Sequence, residues 1–204
     1  MKKKWAFLVA MCFATVFTAS VFALEIGDMA PDFTLKDMNG KEVTLSSYTK
    51  KKQIIVLEWF NHDCPFVKKF YGANKMQELQ KQYTNQEVIW LSINSSATGN
   101  EGHRTMDALT TEAKAKGMQS TAVLIDEKGL VGKLYVAKTT PHMFVINKEG
   151  KIAYQGAIDS IKSTNAADIK KADNYVVKAL DSLKAGRAIA MEKTDAYGCS
   201  VKYK

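Results

Sequence analysis

Residues 54–66 read IIVLEWFNHDCPF, and this stretch decides the fold. The β-branched and aliphatic run from Gln53 to Trp59 predicts a central strand buried on both faces. Pro65 suits the first turn of a helix. Val67, Phe70 and Tyr71 mark one side of that helix, and Gly72 interrupts it. Cys64 therefore falls at a strand-to-helix junction, where the first amides of a helix point outward and favour a thiolate. His62 and Lys68 add positive charge nearby, while Asp63 and Glu58 oppose it. Four roles are open to such a cysteine: inert core residue, half of a structural disulfide, metal ligand or nucleophile.

Pro31 to Leu35 and Lys41 to Leu45 alternate on either side of Asp37-Met38-Asn39-Gly40, which predicts an N-terminal hairpin. Asn74 with Gln77 has the spacing of a capping box and opens a helix through Met76, Leu79 and Tyr83. A strand is predicted over Glu87–Ile93, a polar loop over Asn94–His103 and a helix from about Thr105 to Gly117. Thr121–Ile125 reads as a third buried strand. Met143–Asn147 and Ile152–Gln155 form a hairpin. Ile169, Ala172, Val176, Ala179 and Leu183 form one helical stripe that stops at Gly186. Arg187–Lys204 lacks a period and reads as an extended tail. This order predicts an α/β sandwich with a mixed central sheet flanked by helices.

The N-terminus has its own logic. Lys2-Lys3-Lys4 precede an uncharged apolar stretch from Trp5 to Phe22, and Val21-Phe22-Ala23 suits signal peptidase, the three-part pattern of a secretory signal. A retained anchor is the alternative, because the stretch is close to bilayer length. We expect residues 1–23 to be removed, with a domain over 24–186 and a tail over 187–204. The expected location is the periplasm or outside the cell, with no stable membrane insertion after cleavage. Losing three lysines takes the formal charge from +8 to +5. That surplus is nearly all lysine and is spread along the chain, which argues against a nucleic-acid partner. Cys12 goes with the signal. The mature chain then holds Cys64 and Cys199, so at most one intramolecular bridge exists, and exported thiols tend to be paired or reactive.

Several motifs resemble one family. Ala30-Pro31-Asp32-Phe33-Thr34-Leu35, then Asn39-Gly40-Lys41-Glu42-Val43 and Leu45, resemble the opening of redoxins, the thioredoxin-fold proteins grouped as alkyl hydroperoxide reductase and thiol-specific antioxidant. Asn61-His62-Asp63-Cys64-Pro65-Phe66-Val67-Lys68 with Gly198-Cys199-Ser200-Val201-Lys202 resembles a peroxiredoxin-like subgroup, and the likeness covers roughly residues 25–204. It implies a thioredoxin-like fold in which Thr140-Pro141 is cis and Pro141 packs beside the active thiol. The departures are specific. Asn61 replaces the first cysteine of the dithiol motif. Leu57 and Asn61 stand where peroxiredoxins carry proline and threonine, and Pro141 occupies the neighbourhood of their activating arginine.

The resemblance implies reduction of a small peroxide or an oxidised thiol by Cys64 through a sulfenic acid. Cys199 would act as resolving thiol, an unidentified thiol reductant would close the cycle, and no cofactor is implied. A disulfide oxidoreductase using the same pair is a second reading. Asn61 is either a donor to the thiolate or bound peroxide, or a turn residue. His62 reads as a surface loop histidine. Pro65 and Pro141 support the site. Cys199 lies thirteen residues beyond Gly186, and an extended chain of that length reaches ~43 Å, well past a radius of gyration of ~16 Å. A Cys64–Cys199 bridge is therefore within reach. As a pure staple it would contribute up to ~5 kcal/mol in the chain-entropy model, which keeps a non-catalytic module open. Cys64, His62, His103 and His142 are the candidate ligands of a copper-carrying alternative, which lacks the paired cysteines of thioredoxin-fold copper carriers.

Overall fold

The computed structural model describes residues 24–204, so the expected signal lies outside the described residues. The strands and helices run β1 (Thr34–Asp37), β2 (Glu42–Thr44), α1 (Ser46–Thr49), β3 (Ile55–Trp59), α2 (Pro65–Gly72) and α3 (Lys75–Thr84). They continue through β4 (Ile89–Asn94), α4 (Met106–Ala115), β5 (Ala122–Ile125), α5 (Leu130–Leu134), β6 (Thr139–Thr140) and β7 (His142–Ile146). The chain closes with β8 (Ile152–Gly156), a 3₁₀ turn (Ala166–Lys170), α6 (Tyr175–Lys184) and β9 (Cys199–Ser200). Seven strands form one sheet in the order β2-β1-β5-β4-β3-β7-β8. β3, β4 and β5 run parallel, while β7, β8 and the β1–β2 hairpin add antiparallel pairs. The sheet is mixed, with helices on both faces.

β3 carries this arrangement because every residue in it is buried. Strand alternation sends Ile55, Leu57 and Trp59 into one core with Phe33, Val131, Tyr135 and Phe144. Val56 enters the other core with Val67, Phe70, Trp90, Val145 and Ala179, and Cys64 joins that second core after the strand ends. Cys64 is thus tied to the face covered by α2, α3 and α6.

Two expectations are corrected. Asn74 does not cap α3. It sits in the left-handed region at φ 59° with no side-chain capping bond, and Gln77 instead donates to the carbonyls of Tyr71 and Lys116 at 3.0 and 2.8 Å. The stripe from Ile169 to Leu183 is also not one helix. Tyr175 N donates to Ile158 O and the Asn174 backbone bridges to Asp159, which pulls the chain into an extended conformation there. Asn174 then caps α6 by accepting from Val177 N at 3.0 Å. Ile169 belongs to the preceding 3₁₀ turn.

One residue of β3 breaks the apolar rule. Glu58 is fully buried and accepts from Tyr71 Oη (2.9 Å), Gln80 Nε2 (3.1 Å), Trp90 Nε1 (2.8 Å) and Ser92 Oγ (2.9 Å). Burial raises its pKa, and the four donors oppose that rise. The carboxyl ties α2, α3 and β4 to the central strand. Glu58→Ala strands four buried donors, and at a cost of ~1–3 kcal/mol for each unsatisfied group the loss should reach ~3 kcal/mol or more. Urea unfolding checks this as a fall in midpoint at unchanged m-value; a shift below ~1 kcal/mol would contradict the role.

Candidate active site

Cys64 is the residue immediately before α2. Its backbone is extended (φ −66°, ψ 124°), and its carbonyl accepts from Val67 N and Lys68 N at 3.0 and 2.9 Å. Pro65 fills the first helical position, where its missing N–H costs no intrahelical bond. The side chain is completely buried, and Sγ donates to Thr140 O at 3.0 Å. The Thr140-Pro141 bond is cis, as the resemblance implied, and the adjoining carbonyl touches the thiol.

The tail delivers Cys199 to the same place. β9 pairs antiparallel with β6, with Cys199 opposite Thr140 and Ser200 opposite Thr139, and Val201 N extends the ladder to Lys138 O. Gly198 has φ +140°, and a Cβ there would lie 2.1 Å from Thr140 O, so only glycine permits this approach. Cys64 and Cys199 are free cysteines, with no disulfide between them. Burial alone would raise the Cys64 pKa. The polar groups around the sulfur (the Cys199 thiol, the Thr140 hydroxyl, and the Cys199 and Val67 amides) outweigh it, and the net direction is downward. The Thr140 hydroxyl is buried and makes no hydrogen bond while Cys64 is protonated toward the Thr140 carbonyl. Cys199 moves the other way, pushed up to about 12 by burial and by the negative charge that Cys64 acquires. One thiolate, on Cys64, is the arrangement this pair favours.

The neighbouring loop is held from outside. Asn61 Oδ1 accepts from Asp63 N at 2.8 Å and its Nδ2 donates to Glu101 O at 3.3 Å, so both ends of the amide serve the loop. A Cβ on Gly102 would lie 2.2 Å from Asn61 Oδ1, which fixes how closely the two loops pack. Arg104 donates to both Asp63 oxygens at 3.0 Å and to Glu112 at 2.9 Å, lowering the Asp63 pKa.

His62 is buried, not a surface residue, a correction with a clear cause. Its ring packs against Phe60 and Tyr71, and Nδ1 lies 3.1 Å from Glu112 Oε2, too poorly aligned to form a hydrogen bond. Burial lowers its pKa despite Glu112, so neutral His62 contributes no positive charge to Cys64 at neutral pH.

The four candidate metal ligands do not form a set. His142 shares strand parity with Phe144 and so belongs to the opposite face from Met143, Val145 and Cys64. Its Nδ1 accepts from Lys138 N, and burial lowers its pKa to about 4. His103 instead faces Glu127 at 3.2 Å. Among the described residues, no three His, Cys, Asp or Glu side chains gather as metal ligands.

Sequence reasoning missed Thr140, Arg104 and Glu112 as site residues. Gly198 before Cys199 was the readable signal for a close backbone approach.

The sequence profile of the AhpC/TSA family matches residues 26–155. The chain belongs to the AhpC/TSA family. A structure from Geobacillus kaustophilus, described as an uncharacterized conserved protein, is similar at 26% identity and TM-score 0.75, covering 89% of this chain and 93% of that one. A hypothetical protein from Sinorhizobium meliloti is similar at 24% identity and TM-score 0.74, covering 90% and 97%. Peroxidoxin BcpB from Mycobacterium tuberculosis shares the fold at 20% identity and TM-score 0.56, covering 80% of this chain and 99% of that one. No curated relative matches the chain. The AhpC/TSA match ends at β8, so the tail that brings Cys199 to Cys64 lies beyond it.

The opposite pKa directions give a testable pH profile. Alkylation of Cys64 should rise through a midpoint below the ~8.5 of an ordinary thiol and then level off, because its thiolate predominates above the depressed pKa. Cys199 should stay unmodified through the same range. Cys199→Ala removes a donor and should move the Cys64 midpoint upward. Mass-resolved iodoacetamide labelling reads both sites, and equal midpoints for the two thiols would contradict the assignment.

Proposed function

We propose that this protein is an exported thiol-dependent peroxidase in which Cys64 attacks and Cys199 resolves. The observation that carries the reading is the Thr140–Cys199 pairing, which sets a thiol of raised pKa against one of lowered pKa. Family membership supports a redox role and narrows the substrate to peroxides or oxidised thiols.

In the oxidative half, the Cys64 thiolate attacks one peroxide oxygen and the O–O bond breaks. Cys64 becomes a sulfenic acid, and the other oxygen leaves as water or an alcohol after taking a proton. Cys199 sulfur then attacks Cys64 sulfur, water departs, and a Cys64–Cys199 disulfide forms. In the reductive half, an external dithiol attacks the sulfur of Cys199, the more exposed of the two residues. Cys64 leaves as the thiolate, which its lower pKa favours. The second thiol of the donor then displaces Cys199, leaving both cysteines reduced and the donor oxidised.

Export is supported by Lys2-Lys3-Lys4, the apolar stretch and Val21-Phe22-Ala23. No helix among the described residues is long and apolar enough to cross a membrane. Intact mass of exported material should correspond to a chain beginning near Leu24; a mass retaining residues 1–23 in the membrane fraction would contradict export.

The thiol assignment has its own test. A sulfenic-acid trap should label Cys64 in Cys199→Ser after peroxide, while Cys64→Ser should leave Cys199 unmodified and abolish dithiol-dependent peroxide consumption. Faster oxidation of Cys199 than of Cys64 would overturn the roles. A bridge that resists dithiol reductants would favour a stapled, non-catalytic module.

A further inference from the structure

The tail beyond α6 lacks a hydrophobic period, yet side chains fasten it on both sides of Cys199. Before the cysteine, the Tyr197 ring meets Phe66 edge-on at 5.7 Å, and its hydroxyl bonds Asp159, which pairs with buried Lys69 at 3.2 Å. After it, Ala97 N donates to Lys202 O at 2.9 Å, and the Asn100 side chain donates to Lys202 O and Tyr203 O at 3.2 and 3.1 Å. Tyr203 then reaches back, and its hydroxyl donates to Ala137 O at 2.8 Å.

The seat of Tyr203 is cut into α5 and its approach. A Cβ on Gly129 would lie 2.5 Å from the ring, and one on Gly132 would lie 2.4 Å from the hydroxyl. Gly129 has φ +65°, so its backbone conformation already favours glycine. Gly132 has no such conformation. A glycine inside a helix costs roughly 1 kcal/mol relative to alanine, so its presence in α5 is unfavourable by propensity. The space it leaves for Tyr203 supplies the reason. Lys133 adds a cation 5.8 Å from the ring centroid.

We propose that Tyr203, seated against Gly129 and Gly132, is a positioning residue that latches the C-terminal strap and sets the effective concentration of Cys199 at Cys64. This rests on the resolving role of Cys199. A thiol on a short flexible tether meets its partner at roughly millimolar effective concentration. A strand ordered in advance avoids the entropy lost on closing that tether, and the thiol pair gains accordingly. The strap also covers the attacking thiol: Cys64 has no exposed surface, and the segment carrying Cys199 pairs directly across Thr140. Unlatching therefore has two consequences of opposite use. The bridge becomes less favoured, and Cys64 becomes more accessible.

Gly132→Ala tests the latch without altering the strap sequence or either cysteine, and the group that must yield is the far end of the tyrosine. The reduced protein is equilibrated with glutathione, where one oxidised glutathione and two protein thiols give the bridge and two reduced glutathiones. Gly132→Ala and Tyr203→Ala should each lower the effective concentration of the pair by at least about 10-fold. In a Cys199→Ser background, each should also raise the Cys64 alkylation rate by about 10-fold as the cover loosens. Tyr203→Phe keeps the ring in its seat and should stay within about 3-fold of wild type on both measures. Should Gly132→Ala fail to fold, by circular dichroism, deletion of residues 202–204 serves in its place. An unchanged glutathione equilibrium in folded, unseated variants overturns the latch.

Wild-type peroxide turnover, measured alongside, separates the latch from the peroxidase reading. A shifted equilibrium without peroxide turnover retains the latch and rejects the peroxidase. Turnover with an unshifted equilibrium does the reverse.

Discussion

The antiparallel pairing of Cys199 with Thr140 is the constraint on which the site depends. Thr140 contributes twice: its carbonyl accepts the Cys64 thiol, and its backbone aligns the tail. Gly198 allows the approach because any side chain there would strike the Thr140 carbonyl. The thiol-to-carbonyl bond favours the protonated form, and the several donors favour the thiolate. The site is therefore poised between the two forms rather than fixed in either.

Behind the thiols, Glu58 organises the supporting core. The carboxyl joins side chains from α2, α3 and β4 in a space otherwise filled by apolar groups. It lies on the central strand that leads into the Cys64 loop, so the network stiffens the base from which that loop projects. On the outer side, Arg104 grips Asp63 and Glu112, and Asn61 binds the neighbouring backbone. The Cys64 loop is held between a buried acidic hub and a half-exposed ionic clamp.

Much of this was legible in the sequence because the relevant signals are local. The apolar run through β3, the proline after Cys64 and the alternating hairpins identify the sheet and the helix start. The motifs around residues 30–45 and 60–68 agree with the AhpC/TSA match. What escaped depends on contacts distant in sequence. His62 looks like a polar loop residue until Glu112, Phe60 and Tyr71 enclose it. Two-residue strands such as β6 and β9 carry no period, so the tail reads as free although it is seated. The broken stripe before α6 follows from the pairing of Asn174 with Asp159, which apolar spacing does not encode.

The central claim is that peroxide drives one defined bond between Cys64 and Cys199 of the same chain. Reduced protein treated with one equivalent of hydrogen peroxide, quenched and mapped by non-reducing peptide mass spectrometry, tests it most directly. The account predicts a Cys64–Cys199 peptide from monomeric protein, with both thiols lost and restored by a dithiol. Cys64 as sulfinic or sulfonic acid beside a free Cys199 would contradict it.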